Sequence, residues 1–179
     1  MRKLMYLFAS MAIVAILATG CASADSESKS DSGSDTTEKT ETTDTKKELL
    51  QTQMDFTADF STYYAPISAY QAAAADEATT EAALNTAAES AKKAADEGAA
   101  KLADYKLESN LSDEQKETYT TSLDSLKSYF EEISKSIDAS AAEPNFDAAQ
   151  KHFDTFQSDL EGIYKEADLN VPDMAQALS

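Results

Sequence analysis

Two residues of this chain carry side chains that often do chemistry, one cysteine and one histidine. Cys21 is the only cysteine and His152 the only histidine among 179 residues. A nucleophilic site needs a partner base, and a zinc or iron site needs several ligands. The Glu-x-x-His spacing of di-iron bundles is absent, because Ala149 stands three residues before His152. The sequence therefore predicts no disulfide, no metal site, no cofactor and no enzymatic activity.

The residues in front of Cys21 give it a different chemical setting. Arg2 and Lys3 form a short basic region, an apolar run extends from Leu4 to Ala18, and small residues follow. This order is typical of a signal for export across a membrane rather than of structure in the mature protein.

The end of the apolar run, Leu17-Ala18-Thr19-Gly20-Cys21, resembles the lipobox of bacterial lipoproteins. The resemblance covers the first 21 residues and departs from the family pattern at Ala18, where leucine is commoner. It implies removal of residues 1–20 by cleavage between Gly20 and Cys21, and a covalent diacylglycerol and acyl lipid, of the palmitate type, on Cys21. It also implies a lipid anchor in the cell membrane on the extracytoplasmic face, with the bilayer as a partner through Cys21.

Two other fates of this N-terminal segment remain open. Ala22-Ser23-Ala24 fits the small-x-small pattern of ordinary signal cleavage, which would release a soluble protein. The 21 residues from Leu4 to Ala24 contain no charge, which is long enough for an uncleaved membrane helix. We favour the lipoprotein because that chemistry also accounts for the single cysteine.

The charge of the chain excludes whole classes of partner. Lys and Arg total 15 against 33 Asp and Glu, and loss of Arg2 and Lys3 with the signal leaves 13 basic residues and a formal net charge of −20. Such a surface repels phosphate backbones and anionic lipid headgroups. We therefore expect no nucleic-acid binding, and no membrane contact except through the N-terminus.

Residues 21–46 are predicted to form a disordered acidic linker that begins with the lipidated cysteine. From Ala22 to Lys46 the chain is dominated by Ser, Thr, Asp, Glu and Lys, and it holds no apolar residue larger than alanine. Such a composition buries too little surface to offset the entropy of ordering.

From residue 47 onward, apolar residues recur at alternating steps of three and four, as in helices that share a seam. No window alternates with period two, so no strands are expected. The pattern predicts an all-α domain over residues 47–179, an antiparallel up-down bundle for which four helices is the favoured number. The helices are expected at about 47–75, 80–107, 113–140 and 146–168.

The breaks between these helices carry signals of different strength. Ser112 with Gln115 three residues later predicts a capping box at the start of the third helix. Pro144 followed by Asn145 marks the last break, with Asn145 as the expected cap of the fourth helix. The first break contains neither Gly nor Pro, so one continuous helix over residues 46–107 remains open.

The sizes of the seam side chains predict which helices face one another. Folding the first helix onto the second sets large residues opposite small ones, and the third helix does the same. The expected pairings are Phe56 and Phe60 against Ala95, Gly98 and Leu102, and Leu123, Leu126 and Phe130 against Ala88, Ala91 and Ala95.

Four neighbouring residues of the first helix form the one candidate partner-binding site, namely Tyr63, Tyr64, Pro66 and Tyr70. Proline inside a helix removes a hydrogen bond, so a kink or local break is expected there. Tyrosines beside it could form an aromatic groove for a peptide or glycan. The alternative, which the seam spacing favours, is a kink that curves the helix around its core.

These observations predict a non-enzymatic lipoprotein whose helical bundle is a binding or structural accessory module of the cell envelope. Its partner would be an envelope protein or a cell-wall component. The layout is similar to that of small helical lipoproteins described as cell-wall-binding proteins. The alternative is an extracytoplasmic ligand-binding or sensor module, with a small molecule or peptide bound near Pro66.

Overall fold

The structure, a computed structural model, describes residues 35–179, with side chains described from Asp44 onward. This part of the chain contains helices and no strands, so the predicted all-α helical bundle is confirmed. The helices are α1 (Asp35–Ala75), α2 (Glu81–Ala103), α3 (Asp113–Ala139), α4 (Asp147–Glu166) and α5 (Met174–Leu178). None of the helices within residues 35–179 is both long and apolar enough to cross a membrane.

Consecutive helices pack side by side and run in opposite directions. The Lys101 ammonium lies 3.6 Å from the Asp59 carboxylate, which joins α2 to α1. The Lys92 ammonium lies 3.0 Å from the Asp138 carboxylate, which joins α2 to α3. The Ser136 hydroxyl donates to the backbone carbonyl of Asn145 at 2.7 Å across the turn into α4. The short connections thus place neighbours antiparallel, as in an up-down bundle.

The core is built mainly from the predicted seam residues. Phe56, Phe60, Ile67 and Tyr70 of α1 are fully buried. The other three long helices contribute these buried seam residues: Ala88, Ala91, Ala95 and Leu102; Tyr119, Leu123, Leu126, Phe130, Ile133 and Ile137; Ala149, Phe153, Phe156, Leu160 and Ile163. Each helix therefore buries one face, which is the arrangement that an alternating three-four spacing predicts.

The first helix begins twelve residues before its expected start. α1 starts at Asp35, within the segment predicted to be a disordered linker up to residue 46, and that boundary is wrong for residues 35–46. Residues 21–34 lie outside the described part of the chain. The Thr-rich composition of this segment disfavours helix intrinsically. A helix that is already packed from Leu49 onward can extend upstream without a new nucleus, because each added residue gains one hydrogen bond.

The break between α1 and α2 is real, so the alternative of one continuous helix over residues 46–107 is wrong. α1 ends at Ala75, and the carboxylate of Asp76 accepts a hydrogen bond from the amide of Ala78 at 3.0 Å. Thr80 then caps α2 by accepting from the amide of Ala83 at 3.3 Å. α2 ends at Ala103, four residues earlier than predicted.

The two later caps differ in outcome. The Ser112 hydroxyl accepts from the Gln115 amide and the Gln115 side chain accepts from the Ser112 amide, both at 3.2 Å, so the capping box is confirmed. Asn145 lies one residue outside the cap position, which Phe146 occupies. The Asn145 side chain still accepts from the amide of Asp147 at 2.8 Å, and it thereby satisfies one of the free donors at the start of α4.

The nearest neighbour of Gly98 is a ring of α3. A Cβ placed on Gly98 would lie 3.1 Å from Cε2 of Phe130, a contact that the sequence did not predict. The predicted pairing of α1 with this part of α2 agrees with Lys101, which lies 3.6 Å from Asp59 and 6.0 Å from the ring of Phe60. The small-against-large principle holds, but the offset between α2 and α3 is different from the predicted one.

The short helix α5 completes the core beside α1. Met174 and Leu178 are fully buried. The Gln157 side chain of α4 donates to the carbonyl of Pro172 at 2.8 Å and accepts from the amide of Met174 at 2.9 Å. The C-terminal residues are therefore part of the folded unit and fastened to α4.

Candidate partner-binding surfaces

The residues with the most specific sequence signal, Gly20 and Cys21, lie outside the described part of the chain. The lipidation and cleavage expected there stay predictions. The first described helix, α1, begins at Asp35. The candidate surfaces are therefore those of the helical bundle.

Two of the four residues of the predicted aromatic groove belong to the core. Tyr64 is 7% exposed, and its ring centroid lies 5.9 Å from that of Tyr129 and 5.5 Å from that of Phe153. Tyr70 is fully buried, and its hydroxyl donates to the carbonyl of Ala141 at 2.8 Å. Neither ring is available to a peptide or glycan.

The other two residues, Tyr63 and Pro66, are half-buried. The Tyr63 ring packs 5.9 Å from the ring of Phe60, and α1 continues through Pro66 without a break. Proline removes the hydrogen bond to the carbonyl of Thr62, which lies on the exposed side where water can replace it. The predicted groove is therefore wrong, and the alternative of tyrosines that pack against the core describes this region.

Burial also removes these tyrosines from acid–base chemistry near neutral pH. Loss of solvent on burial raises the pKa of Tyr64 and Tyr70, and it raises the pKa of Tyr129 strongly. The same cause raises the pKa of Tyr164 to about 12. A phenol excluded from water keeps its proton because the phenolate would lose its hydration.

A polar cluster between α2 and α3 was not found from the sequence. The Lys92 ammonium donates to the Ser134 hydroxyl at 2.7 Å, and that hydroxyl donates to the Asp96 carboxylate at 2.6 Å. Asp96 and Asp138 lie 3.3 Å and 3.0 Å from the same ammonium. The i,i+4 spacing of Lys92 with Asp96 is visible in the sequence, but the α2–α3 offset that adds Ser134 is not.

Ser134 and Lys92 are as close to each other as a nucleophile is to its general base, but the charge state of the lysine does not fit that role. A lysine base must lose its proton near neutral pH, which requires a lowered pKa. Hydrogen bonding to Asp138, followed by the contribution of Asp96, instead raises the pKa of Lys92. The cluster holds a charged ammonium between two carboxylates, and it fastens α2 to α3.

The end of the bundle where α1 enters is fastened by two loops. The Lys46 ammonium lies 3.1 Å from the Asp168 carboxylate, after α4, and it also donates to the Asp168 carbonyl at 3.2 Å. The Glu48 carboxylate accepts from the amide of Asn110, in the loop before α3, at 2.6 Å. Neighbouring turns of α1 thus hold both loops, and the N-terminal segment leads into a fixed end of the domain.

The solvent-facing side of α1 differs from the other helix surfaces. We define the α1 outward face by seven exposed residues: Leu50, Met54, Ala58, Thr62, Ala65, Ala69 and Ala72. Leu50 is 46% and Met54 64% exposed, and they are the large hydrophobic side chains left exposed among those described. The sixteen residues from Phe60 to Ala75 contain no charge. Sequence reasoning missed this face because it followed the buried seam.

The outer sides of the other long helices are densely charged. Seven of the 20 residues of α4 and ten of the 27 residues of α3 are Asp, Glu or Lys. Lys92, Lys93 and Lys101 of α2 stand among four acidic residues. Charged outer faces are the usual way in which a bundle helix is solvated, so the α1 outward face is the exception.

Other depressions on the described part of the surface are open to solvent. An open depression of about 450 Å³ between α4 and the segment before α5 has Phe153, Gln157 and Pro172 in its walls. Within residues 44–179, no three His, Cys, Asp or Glu side chains converge as metal ligands would. Comparison of the whole chain with protein-family models, with curated proteins and with solved structures found no match.

Proposed function

We propose that the protein is a lipid-anchored lipoprotein of the extracytoplasmic face of the cell membrane. Its acidic helical bundle would be a binding or structural accessory module of the envelope. The observation that carries this proposal is Leu17-Ala18-Thr19-Gly20-Cys21 at the end of a basic and then apolar N-terminal run. Two or more acyl chains on one cysteine are enough for stable membrane attachment, whereas a single acyl chain gives only marginal binding.

The charge of the mature chain supports attachment through lipid rather than through the folded surface. With 13 basic and 33 acidic residues after loss of Arg2 and Lys3, the domain is repelled by anionic headgroups. Fourteen residues run from Cys21 to Ser34, which bounds their reach to about 50 Å. The helix from Asp35 to Lys46 adds roughly 18 Å before the bundle proper. The lipid would thus keep the bundle proper within about 70 Å of the bilayer.

A binding or structural role also agrees with how the chemistry-bearing residues are used. Tyr64, Tyr70 and Tyr129 pack in the core, and the hydrogen bond from Lys92 to Ser134 joins α2 to α3. The alternative function, a ligand site near Pro66, loses its support because the rings that would line it are buried. The partner class of the leading proposal, an envelope protein or wall component, is unchanged.

Exchange of the cysteine tests the lipid anchor in the full-length protein. We expect Cys21→Ser to move the protein from the detergent-rich to the aqueous phase on phase separation, with an unchanged far-UV circular dichroism spectrum. Ser23→Ala is the matched control, because it alters a small residue beside the site and leaves the thiol in place; it should stay in the detergent phase.

Each rival fate of the N-terminal segment predicts a different outcome. A wild-type protein that begins at Met1 and carries no lipid would indicate the uncleaved helix from Leu4 to Ala24. A wild-type protein that is aqueous and begins at Asp25 would indicate ordinary cleavage after Ala22-Ser23-Ala24. Either result would replace the lipid anchor in the proposal.

A further inference from the structure

We propose that the α1 outward face is a homodimer interface, on which α1 of a second copy lies parallel to α1 of the first. The parallel orientation rests on the proposed lipid anchor, because two copies held in one membrane leaflet have α1 entering from the same side. The pairing itself rests on the chemistry of the face.

The face presents apolar surface that the fold leaves uncovered. Leu50 and Met54 lie one helical turn apart and are 46% and 64% exposed. Single exposed hydrophobic side chains are ordinary, but adjacent ones continued by Ala58, Ala65 and Ala69 form a contiguous strip. From Leu50 to Ala72 this strip extends along roughly 33 Å of helix.

The spacing of the face is that of a second helix seam. Met54, Ala58, Thr62, Ala65, Ala69 and Ala72 follow one another at steps of four, four, three, four and three. Alternating steps of three and four keep a row of side chains facing a partner helix. Small side chains along most of the row allow the two helix axes to approach at the short end of the usual 8–10 Å.

Charge favours a second copy over a basic partner. The mature chain carries a net charge of −20, so a basic partner is drawn to α2, α3 and α4, whose outer sides hold the carboxylates. The stretch from Phe60 to Ala75 offers such a partner no charge. Two copies that meet along this stretch place no acidic residues opposite each other, because the exposed carboxylates of this part of α1, Asp55 and Asp59, lie before it.

The remaining repulsion between two acidic copies is weak at this face. Charges on the far helices lie beyond the face, and at physiological ionic strength interactions fall off within about 8 Å. Two exposed carboxylates border the N-terminal half of the face: Asp59 is paired with Lys101 at 3.6 Å, and Asp55 accepts a hydrogen bond from the Gln51 side chain at 2.9 Å. Pairing should therefore strengthen as salt is added, whereas an interface built from ion pairs would weaken.

Cysteine scanning in the full-length lipidated protein, in its own membrane, tests this pairing. Because lipid occupies Cys21, each introduced cysteine is the one free thiol. Met54→Cys, Ala58→Cys, Ala65→Cys and Ala72→Cys should each form a disulfide-linked homodimer under a mild oxidant, since a parallel pair places every position beside its own counterpart. We expect several-fold more linked dimer than from Ala148→Cys, an exposed α4 residue near the height of Ala72, since the neighbouring Phe146 contacts Tyr70.

The other outcomes contradict specific parts of the proposal. Equal yields at Ala148 and at the α1 positions would mean random collision, and the interface would be abandoned. Linkage to a different protein would replace the second copy with that protein. Linkage at only one of the four positions would make the pair antiparallel, because only residues at the crossing point then lie beside their own counterparts. A disulfide-linked dimer formed by the parent chain would show that Cys21 is a free thiol, which overturns the lipid anchor. The pairing would then be judged from the additional linked dimer that each α1 variant forms beyond the parent chain.

A charge placed on the face supplies a second, independent test. Ala65→Glu, introduced together with Ala58→Cys, should abolish most of the linked dimer and leave the thermal unfolding midpoint unchanged, because residue 65 faces solvent in each copy. Ala148→Glu in the same Ala58→Cys background is the matched control and should link as the parent does. An undiminished yield in the Ala65→Glu protein would overturn the interface.

Discussion

Phe56 and Met54 lie two residues apart on α1 and have opposite surroundings. Phe56 is fully buried, with its ring centroid 4.6 Å from that of Phe60 and 6.1 Å from that of Phe156 on α4. Met54 is 64% exposed. The inward side of α1 stabilises the fold, because its aromatic side chains pack against the neighbouring helices. The outward side does not contribute to this core, and from Phe60 to Ala75 it carries no charge.

The largest expected difference comes from truncating one residue on each side. Phe56→Ala should lower the free energy of unfolding by about 3–5 kcal/mol, since it removes a buried ring and leaves a cavity. Met54→Ala should change it by less than about 0.5 kcal/mol under conditions that keep the protein monomeric, because an exposed side chain makes few contacts. Denaturant-induced unfolding, followed by circular dichroism, measures both. Similar losses in the two variants would refute the division of α1 into a core side and a free side.

The same contrast between buried and exposed helix sides predicts opposite responses to substitution of two glycines, Gly98 on α2 and Gly162 on α4. Gly98→Leu should cost about 1–3 kcal/mol, because even a Cβ there would lie 3.1 Å from the Phe130 ring. A Cβ added to Gly162 on α4 would meet nothing within 4 Å, so Gly162→Leu should be neutral or stabilise the helix by up to about 1 kcal/mol. Thermal unfolding of both variants is the measurement. An unchanged midpoint for Gly98→Leu would count against the close α2–α3 packing.

Tyr164 links α4 to the inward side of α1 and gives the protein an alkaline limit. Its hydroxyl contacts the Gln53 side chain at 3.0 Å, so Tyr164→Phe should cost about 0.5–1.5 kcal/mol at neutral pH. Burial raises its pKa to about 12, above the ordinary value of 10. The folded protein therefore holds this proton more tightly than the unfolded chain does. The resulting stability is complete below pH 10 and is lost as the pH rises from 10 through 12.

Unfolding titrations over that range compare the wild type with Tyr164→Phe. The wild type should lose stability more steeply, by up to one proton per molecule, while Tyr119 and Tyr129, whose pKa values burial also raises, act in both proteins. Equal slopes would mean that the Tyr164 hydroxyl is hydrated in the folded state.

The smallest effect is expected from the polar cluster at the α2–α3 edge. Lys92→Met should cost about 0.5–1 kcal/mol, because its ammonium bonds Ser134 and two carboxylates, yet it is partly solvated. Lys93→Met is the matched control, with one contact to Glu97 at 3.9 Å on its own helix, and should be nearly neutral. Added salt should reduce the difference between the variants. Equal costs for the two variants would show that the inter-helix contact of Lys92 contributes nothing.

The bundle itself was predictable because its signal is local. Rows of apolar residues such as Phe56, Phe60 and Ile67 recur within a few turns, and the Ser112 capping box involves residues three apart. Such patterns decide which side of a helix is buried without knowledge of its neighbours. For the same reason the four long helices and their antiparallel order could be inferred.

Features that depend on how one helix is placed against another were not predictable. The contact of Gly98 with Phe130 and the joining of Ser134 to Lys92 both follow from the axial offset between α2 and α3, which period and size do not define. Tyr64 lies beside the seam, which predicts a place at the surface, but α4 covers it through Phe153. α5 has only Met174 and Leu178 as anchors, too few for a periodic signal.

Native mass spectrometry of the full-length protein, extracted from its membrane in a mild detergent, tests the pairing of the α1 outward faces most directly. We predict a species of two chains, each beginning at Cys21 and carrying lipid, which Ala65→Glu converts to one chain and Ala148→Glu leaves intact. A single lipidated chain for the wild type at the same protein concentration would contradict the assignment of this face to a second copy.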